Sequence, residues 1–323
     1  MAKNDIVFVN GLVRSKEKQL IPESKFLQAA DAENADEALR LLKDLGYPVG
    51  EFSADEYEKI VAADWNEFEG FLKKYAPDDR FYLGVTAEYD FFNAESAVRK
   101  KHLGLGAEVY SFEGSVPIAK LEEAAAGNYA AVPAYIAKPM KETEKLFSDG
   151  TATGVKVSTL FLRAYYAYML KNAEGKDWRE NVACEIDAKN LSVAFRAKDM
   201  KSAREMFIAG GKLKEDVSEL IISGEDKKAL DKLLRTPYYD LAYTGIKERA
   251  EGGPLVAFEK QADDFAMKKL KEKRFESEGV TPFLLYANYK KNEIANVRIV
   301  LAMKNCGADK ESIRRRLREG YGG

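Results

Sequence analysis

One string of residues occurs three times in this chain, and its spacing limits the fold more than any other feature. Asp90-Phe-Phe-Asn93-Ala-Glu-Ser-Ala-Val98-Arg99 is echoed by Asp187-Ala-Lys-Asn190-Leu-Ser-Val-Ala-Phe195-Arg196 and by Tyr289-Lys-Lys-Asn292-Glu-Ile-Ala-Asn-Val297-Arg298. In each copy the asparagine precedes the arginine by six residues, and an apolar residue stands just before the arginine. Val13-Arg14-Ser-Lys opens the chain as a shortened fourth copy. The four arginines lie 85, 97 and 102 residues apart. The unit is therefore about a hundred residues long, beyond the 20 to 50 residues of a solenoid repeat. The spacing predicts a triplicated domain with boundaries near 1–103, 104–200 and 201–323. Leu45-Gly-Tyr47, Arg235-Thr-Pro-Tyr238 and Glu319-Gly-Tyr321 extend the echo, each after an amphipathic segment that follows Arg14, Arg196 or Arg298.

The domain is helical. Asn34-Ala-Asp-Glu37, Ser53-Ala-Asp-Glu56 and Asp177-Trp-Arg-Glu180 have the spacing of capping boxes, which satisfy the orphan amides of a first turn. Thr236-Pro237 and Thr281-Pro282 set a capping residue before a proline at the first helical position. Gly46, Gly127 and Gly307 stand where helical patterns end, as left-handed caps should. Between these marks the apolar residues keep the helical period, as in Leu39, Leu42 and Leu45 or Ile294, Val297 and Leu301. Strand signals are nearly absent, so the fold class is all-α. A six-residue step turns a helix by about 600°, so the Asn and Arg of one copy face different directions. Each is expected to make its own contact, one to the next helix and one to the neighbouring repeat.

Composition excludes several kinds of chemistry. With His102 as its one histidine, the chain has no multi-histidine metal site of its own, and any triad would have to run through that residue. His102 closes the basic stretch Arg99-Lys-Lys-His102-Leu-Gly104 and reads as a helix-end residue facing the C-terminal dipole. Cys184 and Cys306 are far apart, form no C-x-x-C pair, and read as two small buried hydrophobes. Gly104-Leu-Gly106 lacks the third glycine of a dinucleotide loop, and neither Gly210-Gly211-Lys212 nor Gly150 to Lys156 has phosphate-loop spacing. Asp263-Asp264 sits beside lysines and reads as a solvated helix face, and Phe161, Tyr165, Tyr166 and Tyr168 read as core packing. Catalytic, cofactor and metal residues are thus expected to be none.

Charge narrows the partners. The 51 basic residues nearly cancel the 53 acidic ones, for a net charge of −2, which removes the global basic field of a nucleic-acid binder. Locally the balance differs: Gln28 to Gly70 holds 12 acidic and 3 basic residues, whereas Lys304 to Gly323 holds 6 basic and 3 acidic. Such a dipolar layout suits charged partners. Ile6 to Val9 is too short for a signal-peptide core, and Ser158 to Leu170 falls short of the roughly 20 apolar residues a bilayer needs.

Taken in order, these strings resemble the C-subunit family of archaeal and bacterial V/A-type rotary ATPases, whose eukaryotic counterpart is the d subunit of the V-ATPase. The resemblance runs from Val13-Arg14-Ser15-Lys16, through Glu37-Ala38-Leu39, Gly46-Tyr47, Glu185-Ile186-Asp187, Asn190-Leu191 and Arg196, to Lys291-Asn292-Glu293-Ile294-Ala295-Asn296-Val297-Arg298, Ile313-Arg314 and Tyr321. It departs at Asn292, where the family more often has Glu, and the first segment lacks its own Asp-x-x-Asn. It implies three similar helical domains arranged as a pseudo-threefold funnel, peripheral on the cytoplasmic face of the membrane. It further implies one copy per complex, the membrane rotor ring of proteolipid subunits and the central shaft as partners, and no catalysis of its own. Arg14, Asp90, Asn93, Arg99, Asp187, Asn190, Arg196, Asn292 and Arg298 are then the candidate structural or interface residues of the repeat. A soluble helical scaffold of an unrelated complex is the alternative, followed by an RNA-binding helical protein contacting RNA through Arg314 to Arg318.

Overall fold

The computed structural model of the chain describes residues 4–106 and 110–322. Sixteen α-helices carry the described residues. Their one extended pairing is an isolated bridge between Pro22 and Tyr321. The chain begins with α1 (Ile6–Glu17), α2 (Glu23–Asp31), α3 (Ala35–Asp44) and α4 (Tyr57–Tyr75). It continues through α5 (Asp79–Leu103), α6 (Ile118–Ala125), α7 (Ala134–Ser148), α8 (Gly154–Asn172) and α9 (Gly175–Arg196). Shorter helices follow: α10 (Met200–Met206), α11 (Glu215–Ile222), α12 (Asp226–Leu233) and α13 (Tyr239–Ala250). The last three are α14 (Val256–Lys271), α15 (Thr281–Asn305) and α16 (Lys310–Arg316).

Residues 1–79 and 253–323 form one compact unit, and residues 80–252 form the other. In the first unit α15 is the central helix, with α1, α2, α3, α4, α14 and α16 packed around it. Its sequence explains that position, because it carries a wide apolar stripe. Phe283, Leu285, Val297, Val300 and Leu301 are all buried, and such a stripe must be covered by neighbouring elements. Each such side chain removed from water contributes roughly 1.5–3 kcal/mol. In the second unit α9 takes the same part, flanked by α8, α10, α11 and α13, with Trp178, Val182, Ile186 and Leu191 buried.

Helix ends follow the sequence at most of the expected places. The Asn34 side chain accepts from the Glu37 amide (2.9 Å), and Ser53 with Glu56 forms a capping box at a short 3-10 turn before α4. Gly46, Gly127 and Gly307 all have positive φ, and the residue after each bonds back to the carbonyl five positions earlier, so three helices close by the same left-handed cap. Three starts differ. Asp177 lies inside the first turn of α9, whose N-cap is Glu174, and Thr281 with Pro282 opens α15 from within, after Val280. At Thr236-Pro237 the helix waits until Tyr239, because the Thr236 hydroxyl first accepts the Tyr238 amide and makes a turn of its own.

Two further readings need correction. Cys306 is exposed at the end of α15, whereas Cys184 is buried as expected. Asp264 faces inward from α14: its Oδ1 accepts the Glu319 amide (3.1 Å), and burial pushes its carboxyl up to about 6. The tyrosine stripe behaves as core, with Phe161 and Tyr166 buried and Tyr165 set edge-on to Phe91. Among the described residues no helix is long and apolar enough to cross a membrane.

Candidate functional site

The repeated string folds into a clamp on a long helix that holds the irregular segment following it. Asp90 and Asn93, on α5, are both buried. The Asn93 amide gives and takes at once: Nδ2 donates to the Phe112 carbonyl (2.8 Å), and Oδ1 accepts the Ser111 amide (2.8 Å). Asp90 accepts the Val116 amide (2.8 Å) and the Ser115 hydroxyl (2.5 Å). An asparagine side chain suits this task because it presents one donor edge and one acceptor, like a backbone segment. The carboxylate suits its own, since it accepts from donors just before a helix begins.

On α9 the same constellation recurs. Asn190 pairs with Ile208 through both its donor and its acceptor (2.9 Å each). Asp187 accepts the amides of Lys212 and Leu213 (2.9 Å each) and the Tyr238 hydroxyl. The chain passes so close that a Cβ at Gly211 would collide with Asp187 Oδ1, and one at Gly114 would collide with Asp90 Oδ1. Neither glycine has a positive φ, so what it provides here is space. Gly210-Gly211 is thus the segment that closes over the acid. Gly104, with φ 65°, ends α5 in a turn.

The third clamp is on α15, shifted by one helical turn from the register of the string. Asn296, not Asn292, makes the reciprocal pair, donating to the Arg318 carbonyl (3.0 Å) and accepting the Arg318 amide (2.8 Å). Glu293, three residues earlier, takes the place of Asp90 and Asp187, and its Oε2 accepts the Ile21 amide (2.6 Å). Val116, Leu213 and Ile21 are equivalent, since each stands one residue before the N-cap of a short helix: Pro117 of α6, Lys214 of α11 and Pro22 of α2. The segment completing the third clamp therefore comes from the other end of the chain. Glu23 and Tyr321 reinforce the joint: the Glu23 amide bonds the Tyr321 carbonyl (3.0 Å), and the Gly320 amide bonds Glu23 Oε2 (3.0 Å). Asn292 holds the next carbonyl, that of Glu319 (2.9 Å).

A tyrosine accompanies each acid. Tyr135 lies near Asp90, Tyr238 bonds Asp187, and Tyr47 lies beside Asp64 and Glu293. Burial first, and the neighbouring carboxylate second, raises all three phenols above their ordinary value, so each keeps its proton.

The arginines part company with the asparagines. Arg99 crosses from α5 to the start of α8, donating to the Gly154 carbonyl (3.0 Å) and Ser158 Oγ (2.8 Å). Arg298 reaches Glu58 on α4 (2.8 Å), and Arg14 reaches the Glu276 carbonyl (3.1 Å). Arg196 is exposed and bonds back to Ser192 on its own helix. His102, in the last turn of α5, stacks on Phe147 of α7 at 3.9 Å and meets Glu144 at 3.0 Å.

The profile of the ATP synthase (C/AC39) subunit family matches residues 9–316. The chain belongs to that family. It is 24% identical to the A-type ATP synthase C subunit of Pyrococcus furiosus, over 92% of this chain and 85% of the relative. It is 26% identical to that of Methanocaldococcus jannaschii, over 95% and 84%. With the V-type sodium ATPase C subunit of Enterococcus hirae it shares 22%, over 97% and 98%. Membership makes the chain a non-catalytic stalk subunit of a rotary ATPase or ATP synthase, in preference to an unrelated scaffold. At the basic end, Arg314 is held by both oxygens of Asp31 (2.7 and 2.6 Å).

Within this family member, sequence reasoning overlooked Glu293, Asn296 and the segment Leu20–Ile21. The first two were open to view in Glu293-Ile-Ala-Asn296, which keeps the acid-x-x-Asn spacing of the other copies. Matching on the arginine instead drew the alignment one turn off, and a four-residue slip returns to nearly the same helix face.

Proposed function

We propose that the chain is a socket that couples the central shaft of a rotary ATPase to its membrane rotor ring, so that the two turn as one body. It binds the ring from the cytoplasmic face as a peripheral subunit, in one copy per complex, and transmits torque. Three similar domains, arranged as a pseudo-threefold funnel, supply the receiving cavity. They follow 1–103, 104–200 and 201–323 along the chain, with Leu20 to Tyr47 serving the third.

The observation that carries this reading is the family match over nearly the whole length. The clamps support it, because a torque-bearing wall must not yield where helices are joined. Each loop in question is fixed to a long helix by an asparagine side chain, buried at Asn93 and Asn296 and half-buried at Asn190. Copurification from native membranes tests the proposal: rotor-ring and shaft subunits should accompany the chain. Recovery with soluble enzymes or RNA, and with neither of those subunits, would refute it.

A further inference from the structure

The third clamp differs from the other two in what surrounds its acid. Lys290, one turn before Glu293 on α15, places Nζ 2.6 Å from Glu293 Oε1 and 2.8 Å from Asp64 Oδ1 on α4. The three side chains are only 14%, 4% and 2% exposed, for Lys290, Glu293 and Asp64 in turn. Two carboxylates therefore share one ammonium inside the unit, leaving one negative charge in excess. The Tyr47 hydroxyl is buried beside Asp64. Lys290 Nζ also lies 5.6 Å from the centre of the Tyr47 ring. The other charged and titratable groups facing the cluster are Glu67 on α4, Tyr286 and Arg298 on α15, and Lys16 at the end of α1. In the other two clamps backbone amides and hydroxyls bond the acid.

We propose that the Asp64–Lys290–Glu293 cluster makes the joint between the two chain ends proton-linked, so that closing Ile21 to Tyr47 against α15 takes up a proton and the joint tightens as pH falls. The electrostatics fix the sign. An excess buried charge is costly, whereas one proton on the carboxylate pair leaves a neutral ion pair with Lys290. Burial pushes the Glu293 carboxyl above its ordinary value, against the pull of Lys290, which agrees with this direction. A carboxyl raised in the closed form holds its proton more tightly there than in the open chain. Its stabilising effect is full below the ordinary carboxylate value of about 4.3 and is lost as pH rises through the raised value.

Urea unfolding of the full chain between about pH 5 and about pH 8 tests the proposal, with hydrogen exchange of the Ile21 amide read in parallel and corrected for its intrinsic rate. Asp264→Asn serves as background, because Asp264 is a second raised carboxyl in the same unit. In that background the folding constant should still rise on acidification, by up to about tenfold per pH unit for one proton, and Ile21 protection should rise with it. Glu293→Gln should remove that dependence, and so should Asp64→Asn, which leaves the Ile21 bond in place should the first variant fold poorly. A flat profile for Asp264→Asn alone, an unchanged slope in Asp64→Asn, or Ile21 protection that does not rise on acidification would overturn the proposal.

Discussion

The amide of Ile21 donates to the carboxylate of Glu293 at 2.6 Å, across 272 positions of sequence. The same bond joins Val116 to Asp90 across 26 positions and Leu213 to Asp187 across 26. What two copies accomplish within one stretch of chain, the third accomplishes by bringing the two ends together. The beginning of the chain is thus structurally part of its end.

If the asparagines act as clamps, Asn93→Ala, Asn190→Ala and Asn296→Ala should each destabilise the fold by roughly 2–4 kcal/mol, because each strands a backbone donor and a backbone acceptor. Asn292→Ala removes a single bond to the backbone, to Glu319, and should cost about 1 kcal/mol. Urea denaturation of the four variants gives the comparison, and a loss at Asn292 equal to that at Asn296 would mean the register is wrong.

Space at Gly211 is a separate requirement. Gly211→Ala would drive a methyl against Asp187 and should cost about 1–3 kcal/mol. Gly70, in α4, has nothing within 4 Å of its Cβ position, so Gly70→Ala should stabilise by roughly 0.5–1 kcal/mol through helix propensity alone. The opposite signs are readable as shifts in Tm.

Arg99 and Arg196 look alike in sequence and should behave differently. Arg99→Ala cuts the tie between α5 and α8 and should lose about 1–2 kcal/mol, more than Arg196→Ala at its more exposed site. Calorimetric melting of the two variants separates a tie from a surface residue.

The strap from Leu317 to Tyr321 should respond to pH through Asp264, whose carboxyl burial raises to about 6. Its stabilising share is present below the ordinary carboxylate value and is lost as pH rises through about 6. The wild-type chain should therefore melt higher at about pH 5 than at about pH 7.5, and Asp264→Asn should narrow that gap. A gap equal to the wild type's would show that Asp264 titrates alike in the folded and unfolded chain.

Much of this was legible in the residues themselves. Period and caps gave the helices, since Gly46, Gly127 and Gly307 obey local rules that need no tertiary context. Asp187 and Asn190 stood out because their neighbours repeat. Glu293 did not, because a glutamate replaces an aspartate and its partner Ile21 is supplied from the other end of the chain. No local rule links residues 272 apart. The Asp64–Lys290 pair was invisible for the same reason, and Asp264 resembles any acid on a lysine-rich helix until the fold sets the Glu319 amide against it.

The coupling itself is tested most directly by bridging. Immobilised central shaft should capture detergent-solubilised rotor ring only when this chain is present, at low salt, and the captured assembly should hold the chain between them. Failure of the chain to bind either partner, or capture of the ring by the shaft to the same extent without it, would contradict its assignment as the socket.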